Sequence, residues 1–171
     1  MDLKKMIINS ILLAVGAVLH QVVPPVLFGM KPDISLAMLF VILIFNRDYK
    51  ICVCSGAVAG ILAAATSAFP GGQFANIIDR LVTINVMFFL IKPLRDRISS
   101  QINIILATAV GTVVSGTTFL SVVLFTVGLS TGFKVLFLSV VLPAAAINTV
   151  VGIILFNIIS IAVKRGKISH A

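Results

Sequence analysis

Four polar residues stand at helical spacing in apolar surroundings: Asn76, Asp79, Arg80 and Thr83. Steps of three or four residues put them on one face of a helix. Just upstream, Phe69-Pro70-Gly71-Gly72-Gln73 is a breaker cluster. Gly71 and Gly72 can expose backbone N–H groups at the start of the helix that follows, which makes an anion-binding arrangement. A second charged pair, Lys31 and Asp33, flanks Pro32. Lys31 with Asp79, and Asp33 with Arg80, have the signs to pair across two loops, so each charge has a structural reading beside a ligand-binding one. The elements that must position these groups are almost wholly apolar, and a charge among them is expensive and needs a reason.

Of the 171 residues, 60% are hydrophobic and 11% charged, with a mean hydropathy of +1.21. Soluble domains carry about 25% charged residues, so the chain reads as an integral membrane protein, a single domain of several helices. Its net charge of +8 does not indicate nucleic acid, because the basic residues sit at segment ends rather than on a soluble face. Cys52 and Cys54 face different sides of a helix and read as small apolar filler rather than a metal or redox pair. No catalytic Cys/His/Asp set is present. Lys4 and Lys5 before an apolar run resemble a signal peptide, but the run continues to Val23, and a first membrane helix is the better reading.

The expected architecture is all-α, a six-helix membrane bundle in one domain over 1–171, with helices at about 6–23, 32–46, 51–68, 75–92, 102–127 and 133–163. Pro24-Pro25 ends the first. Asp33 is placed to cap the second. Pro143 kinks the sixth. No internal repeat or low-complexity region stands out. Six spans put both termini on one side. Lys4, Lys5, Arg47, Lys50, Lys92, Arg95, Arg97, Lys164, Arg165 and Lys167 gather there, against Lys31, Arg80 and Lys134 opposite, ten and three making all thirteen. Both termini are therefore expected in the cytoplasm, and the polar stretch faces outward.

Two apolar runs are too short to span. That at 34–45 is twelve residues, about 18 Å of helix, and that at 81–91 is eleven, whereas about twenty are needed. Each deficit can be made up at its outer end by drawing Pro32-Asp33 and Asn76-Asp79-Arg80 down to membrane level. Such groups are tolerated there only when buried in protein or lining a cavity. Two separate length deficits thus point to one outward-facing cavity.

The motifs themselves carry a likeness. His20-Gln21-Val22-Val23-Pro24-Pro25 followed by Phe28-Gly29-Met30-Lys31-Pro32-Asp33-Ile34-Ser35-Leu36-Ala37-Met38, and then Phe69-Pro70-Gly71-Gly72-Gln73 with Asn76-Ile77 and Asp79, resemble the tryptophan transport family from about residue 10 to 90. Later, only the helix count matches. Members of that family are regarded as substrate-binding S components of energy-coupling factor transporters. The resemblance implies capture of tryptophan from outside by a protein of the prokaryotic plasma membrane, with uptake driven by a transmembrane coupling subunit and two ATPase subunits. Consistent with that division of labour, the chain has no GxxxxGK[ST] loop, no enzymatic activity is expected, and no cofactor is implied. Many S components carry Ala-x-x-x-Ala on the first helix for docking; here the nearest pattern is Ser10-x-x-x-Ala14, with Ala17 beside it.

Tryptophan has a carboxylate, an ammonium, a flat ring and an indole N–H, and a site needs a partner for each. Lys31, Arg80 or the Gly71-Gly72 backbone could take the carboxylate, and Asp33 or Asp79 the ammonium. Phe28, Met30, Phe69 and Phe74 could sandwich the ring, and Gln73, Asn76 or Asn148 could accept from the indole. Against this, Gln73 and Asn76 can simply cap a helix, Asn148 can be interhelical glue, and His20 reads as structural. The stripe Gly56, Gly60, Ala64 and Ala68 reads as tight packing before docking. The apolar loop 26–31 is expected to close over the ring. Other classes remain in view: an S component or secondary transporter for another aromatic or indole-like compound, a structural membrane protein, which leaves two converging polar loops unexplained, and an intramembrane enzyme, for which His20 and His170 lie too far apart.

Overall fold

A computed structural model describes residues 3–24, 31–67, 69, 71–129 and 131–168, with backbone alone at Lys4 and 164–168. It is all-helical among these residues. The elements are α1 (Leu3–Val22), α2 (Ile34–Phe45), α3 (Tyr49–Ala65), α4 (Gly72–Ile91), α5 (Ser100–Thr126), α6 (Phe133–Leu136), a π-helical segment (Phe137–Val141) and α7 (Leu142–Ile168). The last three run on as one sixth helical span. Four spans are long and apolar enough to cross a membrane: Lys5–Val22, Gly72–Ile91, Ser100–Thr126 and Phe133–Val163.

The short helix α2 is the axis of the bundle. Its sequence is apolar on every side, and a helix of that kind has no face to show to water. All residues from Ile34 to Leu43 are buried. Around it α1, α3, α4, α5 and α7 follow one another, each touching α2. Leu36, Phe40 and Leu43 meet Ile84, Met87 and Ile91 of α4, Ile104 and Ala107 of α5, and Phe156 of α7 in one core. Being enclosed and only twelve residues long, α2 need not reach both membrane surfaces. Asp33 caps its first turn, accepting from the Leu36 N–H at 2.9 Å. At its other end Arg95 donates to the carbonyls of Leu43 and Asn46, a cation on the last, unpaired carbonyls of a helix.

Lipid offers no hydrophobic gain for helix association, so close packing has to supply it. The stripe on α3 is used in this way. A β-carbon at Gly56 would lie 2.5 Å from Ile84 Cγ2, and one at Gly60 would lie 3.1 Å from Ile77 Cα. That face is filled by α4; Ala68 lies outside the described residues. Gly16 meets Met38, and Gly111 meets the Phe40 ring.

Proline at 143 removes one N–H from the sixth span, and its ring crowds the carbonyl four residues back. The helix answers by widening: the Leu142 N–H reaches back five residues to the Phe137 carbonyl. This π register also aims side chains. Residues four apart drift by about 40° per step on a straight α-helix, and one wider turn absorbs a step. Leu136, Val140, Ala144 and Asn148 accordingly face one cavity.

Candidate functional site

The chain enters α4 through Gly71, which sits at φ 73°, a left-handed conformation that glycine alone adopts without strain. α4 then starts at Gly72, earlier than the expected 75, and so runs Asn76, Asp79 and Arg80 inside the helix. Arg80 lies about 12 Å along α4 from Gly72. There it meets the first turn of α2.

The meeting is an ion network. Arg80 Nη1 donates to Asp79 Oδ2 at 2.8 Å and to Ser115 Oγ at 3.0 Å, and Nη2 donates to Asp33 Oδ2. Ser115 donates in turn to Asp79 Oδ2 at 2.9 Å, and Thr83 donates to Asp79 Oδ1 at 2.9 Å. Asp79 and Arg80 are only 2% and 3% exposed, so each charge depends on the others for its solvation. The expected pairing of Asp33 with Arg80 is present. That of Lys31 with Asp79 is not: Asp79 is taken by its neighbour Arg80, and Lys31 Nζ donates to the Gln21 carbonyl at 2.9 Å. Asn148 ties the same point to two other helices, accepting from the Asp33 N–H at 2.8 Å and donating to Thr112 Oγ1 at 3.3 Å. His20 Nδ1 lies 3.1 Å from the Pro32 carbonyl and 3.9 Å from Asp33 Oδ1, a link from α1 to the start of α2.

Beside this network is a cavity of about 340 Å³, within the range of small-molecule sites. Asp33, Asn76, Asp79, Arg80, Asn148 and Phe69 from the sequence reading line it. Asn76 uses its Nδ2 on the Ala63 carbonyl at 3.3 Å, which keeps its oxygen free to accept. Phe69 stands edge-on to Phe119, ring centres 5.7 Å apart, and Leu136, Val140, Val141 and Ala144 line the cavity as well. Charged, aromatic and aliphatic side chains thus share one cavity.

Other expected residues are placed elsewhere. Gly71 and Gly72 do not line the cavity, and the Gly72 N–H already donates to the Phe69 carbonyl at 2.9 Å, which removes it as a free anion donor. Lys31 lines no part of it, Gln73 is exposed, and Phe74 is 59% exposed and away from the cavity. Phe28 and Met30, with most of the loop 26–31, lie outside the described residues. Sequence reasoning missed the α5 wall, namely Thr112, Ser115, Gly116 and Phe119. A signal was available: Thr108, Thr112 and Ser115 repeat at i, i+4, i+7, and all three are buried.

A bundle of six helical segments, four of them long and apolar enough to cross a membrane, with a cavity lined by polar and apolar side chains among them, defines a multi-pass membrane protein. The chain belongs to the tryptophan transporter TrpP family, whose model matches residues 2–164. A probable tryptophan transport protein of Clostridium acetobutylicum is 56% identical over 165 residues, covering 96% of this chain and 94% of that one. Proteins of the same description from Bacillus subtilis and Clostridium perfringens are 42% and 38% identical, covering 100% and 96% of this chain and 99% and 96% of theirs. No solved structure matches the chain. With this family and these spans, the protein is a multi-pass protein of the bacterial cell membrane.

Proposed function

We propose that this chain is the substrate-binding subunit of a tryptophan uptake system, and that it works with an ATP-driven energy-coupling module of one transmembrane coupling subunit and two ATPases. The observation that carries the substrate is the cavity itself: charged side chains suited to an amino acid's head group, together with aromatic and aliphatic ones that suit an indole ring. Family membership and the described relatives support the same solute. The coupling module rests on the family likeness to S components. Ser10 and Ala14 on α1 are exposed, small enough for another helix to approach closely, whereas the small residues Gly56 and Gly60 on α3 are used up inside the bundle.

The experiment is reconstitution. The chain alone in vesicles should bind tryptophan without concentrating it, and accumulation should need the coupling subunit, the ATPases and ATP together. Accumulation by the chain alone, driven by an ion gradient, would replace the S-component reading with a secondary transporter.

A further inference from the structure

The charges lining the cavity are unequal. By side-chain count, two carboxyl groups, Asp33 and Asp79, line the cavity beside one guanidinium, Arg80, a formal excess of one acid. Among the described residues no other basic side chain lines the cavity. Lys31 is bonded to the Gln21 carbonyl, and Lys134 is exposed and does not line the cavity. Residues 25–30 contain no ionisable side chain. His20, 3.9 Å from Asp33 Oδ1, lines an adjoining cavity of about 60 Å³ and not this one.

The two carboxylates are not equally available. Asp79 takes three bonds, from Thr83 on one oxygen and from Arg80 and Ser115 on the other, and it is almost wholly buried. Asp33 receives one bond on each oxygen, from Arg80 and from the Leu36 N–H, and keeps 27% of its side chain accessible. The guanidinium is largely committed. Nη1 serves Asp79 and Ser115 and Nη2 serves Asp33, while Nε has no hydrogen-bond partner but is itself buried. A ligand carboxylate would compete for the same fork and bring a third acid group to one base.

We propose that Asp33 receives the ligand's ammonium, and that the cavity selects aromatic amines over aromatic carboxylates, the amine of tryptophan being required and its carboxylate dispensable. This deepens the tryptophan reading above and rests on it. Asp79 has a different part, holding Arg80 in place as the internal counter-charge.

Three indoles separate the possibilities: tryptophan, tryptamine and indole-3-propionate. The chain contains no tryptophan, so the emission of each added indole reports its own burial in the purified full chain. Tryptamine should bind within about tenfold of tryptophan, and indole-3-propionate about 10- to 100-fold more weakly than tryptamine, the worth of a hydrogen bond to a charged group. Indole-3-propionate binding as well as tryptamine would overturn the proposal while leaving the tryptophan site standing. Failure of all three to bind would remove both readings. Asp33→Asn keeps an oxygen that can cap α2 and removes the charge. It should weaken tryptamine about tenfold or more and narrow the gap to indole-3-propionate. An unchanged ranking in that folded variant would also overturn the proposal.

Discussion

Arg80 sits among groups that cannot do without it. Two carboxylates share its fork, one of them 2% exposed, and water cannot replace it. Arg80→Gln therefore leaves buried charge unpaired and should cost about 3–5 kcal/mol of stability, read as a lowered unfolding midpoint in detergent. Adding Asp79→Asn to that variant removes one of the stranded charges and should recover part of the loss. A single variant as stable as the parent, or a double variant worse than the single, would contradict the network. At this scale the sequence was legible where polarity is rare. Asp33, Asn76, Asp79, Arg80 and Asn148 stand out on apolar helices, and all five line the cavity. Ser115 and Thr112 were missed despite their helical spacing with Thr108, because serine and threonine in a membrane helix ordinarily bond the carbonyl of the preceding turn, as Thr117 and Thr118 do here, so spacing alone does not single them out. Gly71 and Gly72 misled for another reason. Glycine at a helix start signals either an open amide or a tight turn, and the Phe69 carbonyl makes it the turn.

Helices α2 and α5 fix the depth of the site by how closely they pack. A β-carbon at Gly111 would overlap the ring of Phe40, which is fully buried and hemmed in by the core. Gly111→Ala should therefore destabilise by about 1–3 kcal/mol through overpacking, whereas Gly132→Ala, with nothing within 4 Å, should be close to neutral. Thermal unfolding of the two variants side by side checks this, and equal midpoints would show that α5 does not press on α2 as described. The central place of α2 was foreshadowed by its length and its unbroken hydrophobicity. Twelve apolar residues cannot span alone, and a helix apolar all round has to be enclosed. The π segment was not foreseen. Pro143 announces a disturbance in the helix, but whether it becomes a kink or a wider turn depends on which neighbours the preceding residues must face, and that is a property of the packed bundle.

For the molecule as a whole, the distribution of basic residues sets orientation. With ten of thirteen Lys and Arg on the side of the termini, Gln73→Cys should react with a membrane-impermeant reagent in intact cells, and Arg97→Cys only after permeabilisation. Both positions are exposed; Cys52 and the exposed Cys54 must first be replaced. The opposite pattern would turn the cavity toward the cytoplasm and contradict the proposed capture from outside. The most direct measurement asks whether this cavity is where tryptophan binds. Because the chain has no tryptophan and one tyrosine, Tyr49, red-edge excitation of ligand and protein reports almost only the ligand's indole. With saturating wild-type protein the emission should move to the blue and become shielded from a soluble quencher, as a ring between Phe69, Phe119 and Val140 requires. Ala144→Phe, which fills space in the cavity, should abolish both effects in a folded protein. Free-solution emission with the wild type, or undiminished binding in the filled variant, would contradict the assignment of tryptophan to this cavity.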